Sequence, residues 1–290
     1  MSELSPELTG KLSSAVEKMP AFPKSVQRVL ELTRDINCSP KELVEVIEKD
    51  PVMTMKLLRA LNSAYYSFPR QITSVNQSVV YLGLNTVKNM ALSFAAIGAL
   101  PENNAAGFDM QRYLMHSLLT ASLARMVCQK FQVEEADSGD CYLTGLLHDF
   151  GKVVFAQFMP QEFRLALDKS ARENISLQQA ELETIGADHT LVGAMLVDRW
   201  QFPSDISSHI RNHHQASERD GVQNCVFIAD QISKTLLPGA SGNSVVYDLP
   251  DFLMSRFGGD LDSIIAQLGG TDKLVQEAEL YARVNRGEDE

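Results

Sequence analysis

The chain contains 290 residues, of which 44% are hydrophobic and 22% are charged. This composition is typical of an ordinary globular protein with one large domain or two smaller ones. The 26 basic and 37 acidic residues give a formal net charge of −11. Because a nucleic-acid partner requires a basic face, this charge argues against nucleic-acid binding. It leaves open a small nucleotide that binds through a metal ion.

The N-terminal residues and the cysteines exclude several further classes. Residues 1–9 lack the basic and apolar regions of a signal peptide. The most apolar stretch, 90–100, is far shorter than the roughly 18 residues of a membrane span. We therefore expect a cytoplasmic protein without a membrane partner. The cysteines form no CxxC pair, which excludes a zinc ribbon or a thioredoxin-type site, and three of them are predicted to be small buried residues. The four are Cys38, Cys128, Cys141 and Cys225.

Capping residues mark helix starts along the first hundred positions. Ser39-Pro40-Lys41-Glu42 has the pattern of a capping box with proline in the first helical turn. Asp50-Pro51 repeats the pattern, and Ser74 precedes another apolar segment with helical spacing. Asn85 is predicted to start a helix that Pro101 closes.

The polar stretch 101–108 predicts a boundary between two lobes. After it, Asp109 is predicted to cap a long helix that runs through Phe131. A second helix is expected at 134–149, and a short β-like run occurs at 245–247. Further helices are predicted at 160–173, 176–185, 189–200, 203–213, 223–237, 251–257, 261–268 and 272–284.

The predicted fold class is therefore all-α, with two helical lobes and a C-terminal helical extension. We expect an N-terminal segment at 1–17, a domain at 18–237 and the extension at 238–290. Within that domain the N-terminal lobe covers 18–100 and the second lobe covers 109–237.

The sharpest chemical signal is His148-Asp149, within the segment 146–152. An aspartate in an apolar helix requires a partner for its charge. One interpretation is structural, in which the pair caps the helix before Gly151. The other is that the pair belongs to a functional site.

The remaining histidines favour a site. His116 is predicted to face the core, and each of the others stands at a helix start or end. Imidazole and carboxylate groups that arrive from several helices suit Fe, Mn, Ni or Zn better than Ca or Mg. Alternatively, the side chains hydrogen-bond across the bundle without a metal. His209 is expected at the surface, and Trp200 in the core. The candidate ligands of one or two divalent ions are His116, His148, Asp149, His189, His213, His214 and Asp230.

The order of these residues resembles that of the HD superfamily of metal-dependent phosphohydrolases. The resemblance implies one metal held by His116, His148, Asp149 and Asp230. It implies a second metal near His189, His213 and His214, as in the cyclic-dinucleotide phosphodiesterase branch, HD-GYP. Lys152 corresponds to the lysine that contacts phosphate in that family. If the chain is catalytic, Asp149 and Lys152 are the expected catalytic residues.

The whole chain is more similar to a sister branch, the HDOD domain of bacterial signalling proteins. The resemblance covers about residues 18–237 and implies a regulatory module. Arg219-Asp220-Gly221 follows the histidine pair, but the Gly-Tyr-Pro of the phosphodiesterases does not. The motifs that carry the HDOD resemblance are Met19–Pro23, Val44, Ile47, Asp50-Pro51, Lys56–Arg59, Asn62–Tyr66, Ser74–Gly83, Val192–Ala194 and Trp200–Pro203.

These observations predict a bacterial signal-transduction module with a His/Asp metal site that binds a phosphorylated ligand. The alternative is a metal-dependent phosphohydrolase acting on nucleotides or cyclic dinucleotides. The expected partners are a signalling protein, a nucleotide or cyclic dinucleotide, and a second copy in a homodimer. Tyr65, Tyr66 and Phe68 are candidates for an exposed partner surface, or else they fill the space between the lobes.

Overall fold

The computed structural model describes residues 4–22, 24–34, 39–101 and 103–286. Within these ranges all regular structure is helical, which confirms the predicted all-α class. The run 245–247 forms no strand there; the Tyr247 N–H instead donates to the Gln231 side chain. None of the described helices is both long enough and apolar enough to cross a bilayer.

Longer connections precede the fifth, seventh and fifteenth helices, but most of the helices follow one another along the chain with short connections. In order they are α1 (Pro6–Lys18), α2 (Lys24–Arg34), α3 (Pro40–Glu48), α4 (Pro51–Leu61), α5 (Val75–Leu82), α6 (Leu84–Gly98), α7 (Met110–Lys130), α8 (Ser138–Leu147), α9 (Phe150–Phe158), α10 (Pro160–Glu173), α11 (Leu177–Thr184), α12 (His189–Arg199), α13 (Ser204–Asn212), α14 (Gly221–Leu236), α15 (Asp251–Phe257), α16 (Leu261–Leu268) and α17 (Thr271–Arg286).

Side-chain caps fix the helix starts that the sequence marks. Ser39 and Glu42 form the reciprocal capping box of α3. The Asp50 carboxylate accepts from the Met53 N–H, and the Asp109 carboxylate accepts from the first turn of α7. These starts confirm the predicted caps.

Several helix starts differ from the prediction by one to four residues, and two of them have a clear local cause. The helix expected from 134 begins at Ser138, because the Asp137 carboxylate caps it there. The helix expected from Asn85 begins one residue earlier, after Gly83, whose φ of 79° separates it from α5. The first shift comes from a side-chain cap and the second from the positive φ of Gly83, neither of which hydrophobic spacing alone reveals.

The chain divides into two compact units. The first comprises residues 1–20 and 100–271, and the second comprises 21–99 and 272–290. The domain boundaries at 17, 100 and 237 remain a prediction. Cys38 lies outside the described residues.

The first unit is built around α7, α8 and α14, which pack on one another, and around α9, which packs on α12. Glycines permit the closest crossings. A Cβ on Gly145 would lie 2.9 Å from the Cα of Ala121, so α8 approaches α7 backbone to backbone. A Cβ on Gly151 would overlap the backbone oxygen of His189 on α12. Trp200 is buried, as predicted, and donates to the Pro20 carbonyl.

The second unit packs α2–α6 together. Its loop after α4 carries Tyr65 and Tyr66, which are half-buried rather than exposed. The Tyr66 hydroxyl lies 3.1 Å from that of Tyr281 on α17, and the Tyr65 hydroxyl donates to the Lys273 carbonyl. The aromatic side chains therefore serve packing within this unit, and the exposed surface expected for them is not found.

Gly151→Ala tests the crossing of α9 and α12. The added methyl group meets backbone that cannot rotate away, so we expect the free energy of unfolding to fall by about 1–3 kcal/mol or more. Gly10→Ala in α1 is the matched control, because nothing lies within 4 Å of its added Cβ. Denaturant unfolding of both variants measures the difference. Equal stability of the two variants would contradict the close crossing.

Candidate metal centre

Three helices bring the first group of ligands together. His116 lies on α7, His148 ends α8 and Asp230 lies on α14. One ligand atom from each lies within 4.8 Å of the other two. The His116 Nε2 is 3.2 Å from the Asp230 Oδ1 and 3.3 Å from the His148 Nε2. All three side chains are buried, so their polar atoms face one another rather than solvent.

A second group lies beside the first. It consists of Asp149, His189, His213 and His214, whose ligand atoms also lie within 4.8 Å of one another. His189 begins α12, and His213 ends α13. The His189 Nε2 lies 2.9 Å from the His214 Nε2.

Asp149 joins the two groups. Its Oδ2 lies 3.5 Å from the His116 Nε2 and 3.3 Å from the His148 Nε2. Its Oδ1 lies 3.2 Å from the His189 Nε2 and 3.6 Å from the His213 Nε2. One carboxylate thus presents a separate oxygen to each group. It stands directly before α9 and makes no capping hydrogen bond, so the purely structural interpretation of His148-Asp149 does not describe Asp149.

The outward-facing ring atoms of four histidines are held by hydrogen-bond partners. The His148 Nδ1 lies 2.8 Å from the Gly145 carbonyl oxygen, and the His213 Nδ1 lies 2.7 Å from that of Ile210. The other two partners are side chains, the Ser233 hydroxyl for His116 and the Glu181 carboxylate for His189. Fixing Nδ1 in this way aims Nε2 inward, as in metal-binding histidines.

The donor set fits a divalent metal ion. Among the described residues, the buried atoms without a hydrogen-bond partner include Asp149 Oδ1, Asp230 Oδ1 and His213 Nε2. Each of these atoms points into the centre, and an unpaired buried polar atom is costly. Imidazole nitrogen with carboxylate oxygen is the ligand chemistry of Fe, Mn, Ni and Zn. The residues present could hold such ions on either side of Asp149.

Two buried lysines balance the carboxylates. The Lys152 Nζ lies 2.5 Å from the Asp149 Oδ2, and the Lys234 Nζ lies 2.6 Å from the Asp230 Oδ2. Burial alone would raise the pKa of each carboxyl group. The neighbouring histidine and lysine charges outweigh it and hold the pKa of Asp149 and Asp230 well below the usual range.

The surroundings lower the pKa of three histidines of the centre and raise the pKa of the other two. Burial lowers the pKa of His116 and His214, and it lowers the pKa of His213 to about 4. Burial also opposes the charged form of His148, but the adjacent Asp149 outweighs it and raises the pKa of His148 to about 9. For His189, Glu181 likewise outweighs burial and raises the pKa.

An irregular segment after α14, residues 238–247, covers the centre; we call it the strap. The Ser241 carbonyl accepts from the Lys152 ammonium at 2.9 Å. Gly242 has a φ of 93°, and a Cβ added there would lie tightly, at 3.0 Å from Leu177 and 3.2 Å from Phe108. The cavity that remains beside Lys152, His189 and His214 holds about 10 Å³, which is room for roughly one water molecule.

All seven predicted ligand residues are therefore found in one centre, whose role as a metal site stays a prediction. Lys152, predicted to contact phosphate, is bound to Asp149 and Ser241 instead. His209 is not at the surface as expected; its side chain is 11% exposed and lies 3.0 Å from Asp220.

Sequence reasoning missed three supporting residues. Ser233 and Lys234 lie three and four positions after Asp230 on α14, so helical spacing could have identified them. Glu181 lies on α11 and reaches His189 across a turn, for which no local sequence signal exists.

The first unit is therefore an all-helical bundle with a buried His/Asp cluster. The family of the chain is defined more closely by sequence: the HDOD domain family model matches residues 19–216. The chain belongs to the HDOD domain family.

Known proteins show the same architecture. An HDOD domain protein of unknown function from Geobacter sulfurreducens has a TM-score of 0.72 at 23% identity, covering 96% of both chains. A candidate signal transduction protein from Marinobacter aquaeolei VT8 has a TM-score of 0.78 at 21% identity, covering 96% of this chain and 66% of the other. At these identities the likeness shows the fold alone.

A sequence relative is an uncharacterised protein from Treponema pallidum (strain Nichols), 26% identical over 217 residues. The match covers 73% of this chain and 41% of the relative. The chain therefore spans about two fifths of the length of that curated relative.

The pKa shifts predict how metal-free protein responds to acid. His116, His213 and His214 have lowered pKa values when folded, so only the unfolded chain takes up their protons near pH 6.5. Stability should fall between about pH 6.5 and 5.5, by about 1 kcal/mol for each such histidine. His148 and His189 have raised pKa values when folded, so the stability that they contribute is lost as the pH rises, not as it falls. They therefore do not cause the expected loss of stability in acid.

Urea unfolding with a chelator present, at several pH values, measures this slope. Stability that is constant or rises as the pH falls from 6.5 to 5.5 would contradict the buried, neutral state of the three histidines.

Proposed function

We propose that this chain is a regulatory signal-transduction module whose His/Asp centre binds one or two divalent metal ions, Fe, Mn, Ni or Zn. In this proposal a phosphorylated ligand, a nucleotide or cyclic dinucleotide, is sensed at the centre rather than turned over. The ligand would act only through its different affinities for the open and covered arrangements of the strap.

The contact between Lys152 and the strap carries this proposal. A lysine that met substrate phosphate would need its ammonium group free at the mouth of the site. Here that group is buried and bound to Asp149 and to the Ser241 carbonyl. A phosphate group has five heavy atoms, and the adjoining cavity of about 10 Å³ has no room for them. The covered arrangement therefore supports a resting, regulatory state.

In this proposal, some residues of the centre hold the metal ions and others orient or neutralise those ligands. Asp149 would face both ion positions. His116, His148 and Asp230 would hold one ion, and His189, His213 and His214 would hold the other. A bound ion would polarise a phosphoryl oxygen and lower the pKa of bound water. Glu181 would fix the ring of His189, and Lys234 would balance the charge of Asp230.

The second candidate function is a metal-dependent phosphohydrolase. The observation that favours it is the complete ligand set, in which Asp149 offers one oxygen to each histidine group. A structure with TM-score 0.58 and 17% identity, from Shewanella amazonensis SB2B, is a candidate metal-dependent phosphohydrolase. In this case the strap would have to leave Lys152 before substrate could enter.

A signalling protein as partner, a homodimer and a cytoplasmic location belong to the same proposal. They rest on the regulatory role of the family that the chain resembles. Tyr65 and Tyr66 do not support a partner surface, because both contact α17.

Loosening the strap tests the regulatory proposal. Gly242→Val adds a side chain where a Cβ would already lie 3.0 Å from Leu177, and it strains a backbone at positive φ. We expect the metal-loaded variant to bind a nucleotide or cyclic dinucleotide at least tenfold more tightly than the wild type. Calorimetric titration with mono-, di- and cyclic nucleotides measures binding, and phosphate or linear-product release measures turnover.

Gly107→Val is the matched control, because it has a similar φ of 74° but nothing within 4 Å of its Cβ. It should keep wild-type affinity. Binding without turnover supports the sensor. Turnover by the wild type or by Gly242→Val would favour the hydrolase, and failure of every nucleotide to bind either protein would contradict the ligand part of the proposal.

A further inference from the structure

A cluster of thiols lies in the first unit, apart from the His/Asp residues. Cys128 on α7, Cys141 on α8 and Cys225 on α14 place their Sγ atoms within 4.8 Å of one another. All three are buried; Cys128 is 5% exposed and the other two are fully covered. They were expected to be buried individually, and the structure instead brings them together.

The spacing of the sulfur atoms is close to that of a metal site. A zinc–thiolate bond is about 2.3 Å long, so sulfur atoms around one ion lie about 3.8–4.0 Å apart. The present separations therefore need to shorten by less than about 1 Å. Small rotations of the side chains supply such a change without moving the helices.

The three thiols also influence one another. Hydrogen bonds from Cys141 and Cys225 lower the pKa of Cys128, and the pKa of each of those two donors is raised in turn. The Cys128 thiol donates to the Ala136 carbonyl, 3.5 Å away, in the turn that leads into α8. Thiolates are the ligands that zinc and copper(I) prefer.

The helices that carry the cysteines also carry the first histidine group. His116 lies on α7, His148 ends α8 and Asp230 lies on α14. Cys128 is twelve residues from His116, a rise of about 18 Å along α7. An ion bound by the cysteines would therefore fasten the same three helices at a second level of the bundle.

We propose that Cys128, Cys141 and Cys225 form a thiolate site for one thiophilic metal ion, zinc or copper(I), that fastens α7, α8 and α14 below the His/Asp centre. The site is independent of whether the chain senses or hydrolyses a ligand. It uses no residue of the His/Asp centre. Its ligands are sulfur atoms, whereas those of the centre are nitrogen and oxygen atoms.

Titration with Co²⁺ under a non-thiol reductant tests the site, because only sulfur ligands give an intense near-ultraviolet charge-transfer band with cobalt. The wild type should develop this band, and at saturation its amplitude should correspond to one thiolate-bound cobalt per chain. Ions bound by histidine and aspartate do not contribute to it. Addition of Zn²⁺ or of Cu⁺ should remove the band, and the ion that does so at the lower free concentration is the preferred occupant.

Cys128→Ser, Cys141→Ser and Cys225→Ser combined should abolish the band, and Cys128→Ser alone should weaken cobalt binding at least tenfold. Cys38→Ser is the matched control and should leave the band unchanged. Circular dichroism confirms that each variant is folded. A folded wild type that shows no band, or a triple variant that retains it, would overturn the proposal; the wild-type result decides even if the triple variant fails to fold.

Discussion

The buried carboxylate of Asp149 is the constraint on which the first unit depends. A carboxylate that is removed from water is costly unless charged and polar groups surround it. Here those groups come from five elements: α7, the end of α8, α9, the start of α12 and the end of α13. The crossings that bring them close enough require glycine, at 145 and at 151. The same close helix crossings thus determine both the packing of the bundle and the geometry of the centre.

Lys152 connects this centre to the strap. Its ammonium group neutralises Asp149 and, at the same time, donates to the Ser241 carbonyl. Any event that draws Lys152 away from Ser241 would loosen the strap, and any event that lifts the strap would leave Lys152 with Asp149 alone. This reciprocity is what a regulatory element requires, because a ligand can shift an equilibrium only through unequal contacts with its two states.

The sequence was sufficient for the helices with explicit caps and for all seven residues of the centre. Asp109 marks the start of α7 chemically, and the adjacent pair His148-Asp149 is unusual enough to be noticed in an apolar helix. The strap, Glu181 and the cysteine cluster could not be predicted. Their partners are distant in the chain, and no spacing rule connects Cys128 with Cys225, 97 positions later. Tertiary packing alone brings such residues together.

The sharing of one carboxylate by two ion positions is the central claim. Anomalous diffraction from crystals grown with Mn²⁺ or Fe²⁺ tests it most directly. We expect anomalous peaks at Asp149, one beside Oδ2 with His116, His148 and Asp230. When both positions are filled, a second peak should lie beside Oδ1 with His189, His213 and His214. Crystals soaked at saturating metal that show no peak within coordination distance of either Asp149 oxygen would contradict it.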